Sequence, residues 1–143
     1  MRLEDQVVSL ENAKKLKELG VKQESFCAWF QHTHNDCQDW EIRINTQQSM
    51  VLILGENEYA AFTVAELGKI LPCAIGDITK DNHYDLYCFK DFPNDWFVQY
   101  RRCGKENTLW KNLDIHCDQN LAEGMAKMLI HLIENSNRNA AND

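Results

Sequence analysis

The sequence predicts an α+β fold: a single domain with an antiparallel sheet and about three helices packed mainly on one face. Three observations lead there. Three segments carry helix caps and apolar stripes at helical spacing. The stretches between them alternate in polarity or are aromatic and apolar, as strands are. The order helix, strands, short helix, hairpin, helix keeps the two kinds of element apart, which suits an antiparallel sheet rather than parallel crossovers.

At 143 residues the chain suits one domain, which buries roughly 68–70% of its unfolded surface and needs no metal or disulfide to hold a core. The domain is expected over residues 1–135. The tail, residues 136–143, has nothing to bury and is expected to fray.

The first helix is predicted over Ser9 to Leu19. Ser9 caps the free N–H groups of its first turn, Leu10, Ala13, Leu16 and Leu19 recur every three residues, and Gly20 supplies the left-handed stop. Lys14, Lys15 and Lys17 are expected on its solvated outer side. Ser25-Phe-Cys-Ala-Trp-Phe-Gln31 reads as a strand, followed by a polar loop to about Asp39. Trp40-Glu-Ile-Arg-Ile44 alternates cleanly, and further strands are expected at Met50–Leu54 and, more weakly, Glu58–Phe62.

Thr63-Val-Ala-Glu66 has the spacing of a capping box and opens a second helix, whose inner side is Val64, Leu67, Ile70 and Leu71 and which Pro72 ends. Gly68 in its middle suggests close packing. Tyr84–Lys90 and Trp96–Arg101 flank the turn-forming Asp91-Phe-Pro-Asn-Asp95, a β-hairpin, and Leu109–Ile115 adds a strand. Asn120-Leu-Ala-Glu123 is a second box-like cap, opening a helix with the stripe Leu121, Met125, Met128, Leu129, Leu132 and Ile133. Aromatics on the sheet face away from the helices would form a partner or self-association surface.

Composition narrows the function. Hydrophobic residues make 44% and charged residues 26% of the chain, the balance of a soluble globular protein. No apolar run approaches the ~20 residues that span a bilayer, and the N-terminus lacks the pattern of a signal peptide. No membrane association and a cytoplasmic location are therefore expected. The six cysteines, Cys27, Cys37, Cys73, Cys88, Cys103 and Cys117, contain no C-x-x-C pair and read as free thiols. Net charge is −7, and residues 51–100 hold eight acids against three lysines. That balance disfavours nucleic-acid binding; it reads first as solvation of the surface, with an acidic face for a basic partner, or mimicry of nucleic acid, as the sharper alternative.

One cluster resembles a chemical motif: Cys27, His32, His34 and Cys37 give C-x4-H-x-H-x2-C. Zinc needs four converging ligands, and here Cys27 lies in a strand while the other three enter from one loop, so no metal is expected. Asp77-Ile-Thr-Lys-Asp-Asn82 begins like a calcium loop, but the sixth position is Asn82 and the twelfth Cys88. No phosphate-binding or serine-hydrolase motif is present, and adjacent His116-Cys117 defines no catalytic pair. Catalytic residues are left unassigned and no cofactor is expected. Trp40 or Trp110, if exposed, would stack on a base or sugar.

Three segments carry a resemblance: Val7–Ser25, Ala61-Phe-Thr-Val-Ala-Glu-Leu-Gly-Lys-Ile-Leu-Pro72, and Ala126-Lys-Met-Leu-Ile-His-Leu-Ile-Glu-Asn135. In this order they resemble small uncharacterised proteins encoded by bacteriophages and prophages of gut Bacteroides. The resemblance implies a bacterial-host setting and transfers no site residues. The resulting expectation is a non-catalytic protein-binding or assembly module with an unknown protein partner or a homodimeric one. A small enzyme with a dispersed Cys/His/Asp site and a nucleic-acid accessory protein using Lys14, Lys15, Lys17, Arg101 and Arg102 are the alternatives.

Overall fold

A computed structural model describes residues 2–34, 37–44, 54–77, 82–91, 95–101 and 112–140. It is an α+β single domain. A 3-10 turn at Leu3–Asp5 precedes α1 (Leu10–Glu18), β1 (Cys27–His34), β2 (Cys37–Ile44), β3 (Tyr59–Ala60), α2 (Val64–Ile70), β4 (Ala74–Asp77), β5 (Asn82–Lys90), β6 (Trp96–Arg101), β7 (Asn112–Asp118) and α3 (Leu121–Ala140). The strands form two antiparallel sheets, ordered β2-β1-β3 and β4-β5-β6-β7.

The helix caps act as their chemistry requires. Asn12 N donates to Ser9 Oγ at 3.3 Å at the start of α1, and Gly20 takes the left-handed φ of +81° that ends the turn after it. At α2, Glu66 N donates to Thr63 Oγ1 (3.3 Å) while the Glu66 carboxylate accepts from Thr63 N (2.8 Å), closing the predicted box. Gly68 is not crowded: a Cβ there would lie 3.7 Å from Met125 Cε, an ordinary contact.

One face of α3 is apolar, and it organises the core. Ala122, Met125, Ala126, Met128 and Leu129 are buried with Leu16 of α1, Leu67 of α2, Phe62, and Val98 and Tyr100 of β6. The helix packs on β6 and β7 and touches α1 and α2, while α1 reaches β3 of the smaller sheet. Burying each large apolar side chain of this core contributes roughly 1.5–3 kcal/mol.

Several expectations shift. The polar stretch read as a loop to Asp39 is mostly strand: β1 runs to His34 and β2 begins at Cys37. Cross-strand contacts hold it, with His32 Nε2 2.7 Å from Glu41 Oε2 and the Arg43 guanidinium 3.3 Å above the Phe30 ring. β4 was not anticipated, and the strand expected at Leu109–Ile115 is observed at Asn112–Asp118. Helix α3 continues to Ala140, past the domain end expected at residue 135. Residues 136–140 are exposed, and Ser136 Oγ donates to Leu132 O at 2.9 Å. The strand expected at Met50–Leu54 lies, apart from Leu54, outside the described residues, as do residues 102–111.

Candidate functional site

The cysteine–histidine cluster does not converge. In the β1–β2 hairpin Cys27 pairs with Ile44 at the open end, whereas His34 pairs with Cys37 at the closed end. At about 3.3 Å per residue the two ends are roughly 20 Å apart. Cys27 is buried against Val7 and Ala61, while His32 lies on the other face beside Phe30, their rings 5.1 Å apart. Among the described residues no three His, Cys, Asp or Glu side chains are grouped to hold a metal. Burial, and then the charge of Glu66, push the Cys27 thiol up, which makes it a poor nucleophile. Asp77 and Asn82 face each other across the β4–β5 pair, so the chain to Cys88 runs up a strand rather than around an ion.

The three lysines of α1 are not a free basic face. Lys17 Nζ donates to the carbonyls of Gly55 (3.3 Å), Glu56 (2.7 Å) and Glu58 (3.0 Å) and lies 4.9 Å from the Tyr59 ring centroid. Lys14 Nζ sits 4.8 Å from the Trp40 ring centroid, and Lys15 pairs with Glu134 at 3.1 Å. Each serves to fasten α1 to its neighbours. Trp40 is accordingly covered by Lys14 and packed on Tyr59, 5.7 Å away, and is not an open stacking platform. Trp110 lies outside the described residues.

A cleft that no sequence motif marks runs between the 3-10 turn and the starts of α2 and α3. It has two adjoining chambers of about 550 and 530 Å³ that share Asp5, Val7, Gln119 and Asn120. Leu3, Val64, Leu121 and Trp96 line the first together with Asp5 and Lys90; Glu4, Asp5 and Glu123 line the second, where Asp5 also pairs with Arg2 at 3.5 Å. Neither chamber is lined by a cysteine or a histidine.

The segment Val7-Val-Ser9 builds this cleft. Val8 N donates to Phe62 O (3.0 Å), Trp29 Nε1 to Val8 O (2.8 Å), and Asn120 Nδ2 to Val7 O (2.9 Å). Asn120 caps α3 as expected, its Oδ1 accepting from Ala122 N at 2.9 Å. Glu123 departs from expectation: its carboxylate accepts from Ser9 N (2.9 Å), Ser9 Oγ (2.8 Å) and Asn12 Nδ2, at the N-terminus of α1. An anion there complements the helix dipole and joins two helix starts that are distant in sequence.

Trp96 is the aromatic wall of the first chamber. Lys90 pairs with Trp96 across the β5–β6 ladder, and Phe89 pairs with Phe97 at the next position. Successive residues point to opposite faces, so Trp96 lines the cleft while Phe89 and Phe97 stack on the far side, centroids 5.3 Å apart and planes within 8°. Phe89 remains 37% exposed. Further along that face, Arg101 lies 5.6 Å from the Tyr87 ring centroid. The opposite face is sealed by Tyr100, which donates to Pro72 O at 2.6 Å. Burial first, then the charges of Cys88 and Cys73, push its hydroxyl up to about 12.

Fold and site define a small α+β protein with a bipartite cleft on one face of the β5–β6 pair and a stacked Phe89–Phe97 pair on the other, Phe89 exposed. Among the described residues no helix is long and apolar enough to cross a membrane. No protein-family model, curated protein or solved structure matches the chain.

Proposed function

We propose that the chain is a non-catalytic binding or assembly module that docks a protein partner on the β5–β6 hairpin and the cleft beside it. The observation that carries this is the Phe89–Phe97 stack, with Phe89 37% exposed, on the face of the hairpin opposite the cleft-lining Trp96. Aromatic anchors grouped with a few cations are the anatomy of interface centres. The acid excess of the chain steers basic partners toward it. The resemblance of three segments to bacteriophage and prophage proteins supports a setting in the cytoplasm of a bacterial host, where such a module would act on a host or phage protein.

The test compares the wild-type chain with Phe89→Ser and Ile44→Ser as baits in a nuclease-treated host lysate, with light scattering to detect a second copy as partner. Ile44 is 55% exposed, and it sits on the other sheet. One species retained by wild type and Ile44→Ser but lost with Phe89→Ser is the expected outcome. Equal retention by all three baits would overturn the assignment of the surface.

A further inference from the structure

Resting on the reading that a partner docks on the β5–β6 hairpin, we infer that the partner seats an arginine on the open ring face of Phe89, its guanidinium paired with the carboxylate of Asp95. The strand beside β5 stops short of this position. β4 pairs with β5 only as far as Ala74 opposite Asp85, extended by Leu86 N donating to Cys73 O at 2.9 Å. Among the described residues no strand lies beside Phe89 on that side. Phe97 covers one face of the Phe89 ring, and the other is left to solvent. The same face of the hairpin carries two acids. Asp91 N donates to Asp95 O (2.9 Å), which continues the ladder one pair beyond Lys90 and Trp96. Alternation then puts Asp91 with Phe89 and Asp95 with Phe97, and neither aspartate lines the cleft behind them.

Charge complementarity selects the occupant. A partner that covers the Phe89–Phe97 pair also takes water from the neighbouring carboxylates, a cost that a cation from the partner offsets. Residues 51–100, which include the hairpin turn, hold eight acids against three lysines, so the surrounding field has the same sign. Other rings already carry a cation of their own chain: Arg43 lies 3.3 Å from the Phe30 ring centroid, Arg101 5.6 Å from Tyr87 and Lys90 5.8 Å from Trp96. Among the described residues no such cation lies over Phe89 or Phe97. Arginine meets both demands, because a planar guanidinium stacks on a ring while its N–H fork reaches a carboxylate, whereas an ammonium is a point charge. Arg43 over Phe30, with Glu41 as the cross-strand neighbour of Phe30, is the same arrangement made within the chain.

The probe is the end-capped peptide Gly-Ser-Arg-Ser-Gly, titrated into the isotope-labelled full chain and followed by nuclear magnetic resonance. Peptides with lysine or citrulline in place of the arginine are the comparisons. The arginine peptide is expected to shift the Phe89 ring and the amides of Phe89, Asp95 and Phe97. It should bind about threefold or more tightly than the citrulline peptide, which keeps the shape and loses the charge, with lysine between. Asp95→Asn is expected to remove that preference without moving the thermal midpoint, because Asp95 meets Asp91 through its backbone. Asp95→Lys, which sets an ammonium of the chain beside the stack, should exclude the arginine peptide. Shifts that do not saturate or lie away from the hairpin, equal binding of arginine and citrulline, or an undiminished preference in Asp95→Asn would overturn the inference. The lysate baits separate the two proposals. A partner lost with Phe89→Ser but retained by Asp95→Asn leaves the docking surface standing and sinks the arginine.

Discussion

Removing the Glu66 carboxylate tests whether the second helix cap also locks the smaller sheet in place. That carboxylate accepts from Thr63 N and Thr63 Oγ1, both at 2.8 Å, and also from Ser25 Oγ (3.1 Å) and Phe26 N (2.9 Å) at the entry to β1. Loss of the capping box costs about 1 kcal/mol. Ser25 is 2% exposed, so its hydroxyl loses a charge-assisted bond that water replaces poorly, about 1–2 kcal/mol. The exposed Phe26 N–H finds water and adds a few tenths at most. Glu66→Ala is therefore expected to destabilise by about 2–3 kcal/mol, lowering the thermal midpoint by about 5–10 °C in a chain of this size.

Urea unfolding followed by far-ultraviolet circular dichroism measures this, with the exposed Glu56→Ala as a control expected within about 0.5 kcal/mol of wild type. A double-mutant cycle with Ser25→Ala should return a coupling of about 1 kcal/mol. If Glu66→Ala behaves like Glu56→Ala, or the cycle shows no coupling, the carboxylate is an ordinary surface charge and the joint between α2 and β1 is not real. Glu66→Gln should fall between, since the amide keeps one acceptor and loses the other. It should also lower the Cys27 thiol pKa, because burial remains while the neighbouring charge is gone.

Three further outcomes follow from particular contacts. Gly68→Ala should stabilise the protein by about 0.5–1 kcal/mol in the same urea assay, because the new methyl meets Met125 at ordinary distance and helix propensity improves. Stability should fall by about 2–3 kcal/mol as pH rises from 10 to 12. Tyr100 stays protonated when folded and ionises first when unfolded, so its contribution is whole below pH 10 and lost toward 12. Tyr100→Phe should flatten that slope, and an unchanged slope would refute the assignment. Native-state maleimide labelling with peptide mapping should modify exposed Cys73 first, then Cys88, whose thiol burial pushes up, and buried Cys27 only on unfolding.

What the sequence reveals and what it conceals divide along the range of the interactions. The caps at Ser9 and Thr63 are legible because donor and acceptor lie three residues apart, and the α3 stripe is legible because its period is set by one helix. The β5–β6 hairpin is read within a few residues for the same reason. β4 escaped because Ala-Ile-Gly-Asp has little strand propensity, includes Gly76 at φ +94°, and exists only through its pairing with β5. Polar composition hid the closed end of the β1–β2 hairpin, where cross-strand pairs such as His32–Glu41 replace apolar alternation as the stabilising pattern. Splitting of the strands into two sheets depends on which strand each one meets, and no local signal carries that.

The partners of charged residues are the hardest to read from the sequence. Lys14, Lys15 and Lys17 have the spacing of a solvated face, yet each is tied to another element, because a long side chain reaches whatever the tertiary fold puts beside its helix. Glu123 has the spacing of a capping residue for its own helix but caps another whose sequence lies more than a hundred positions away. Both cases follow one rule: a capping or pairing motif fixes the chemistry of a side chain but not its partner when a better one is brought near by folding. The same rule explains why the cleft leaves no trace in the sequence. Its walls come from the N-terminal turn, the start of α2, the β5–β6 ends and the start of α3, and Val7-Val-Ser9 gathers them by hydrogen bonds to Phe62, Trp29, Asn120 and Glu123. A site assembled this way is inseparable from the packing of the N-terminal segment, so substitutions that loosen Val7-Val-Ser9 should weaken partner binding and stability together.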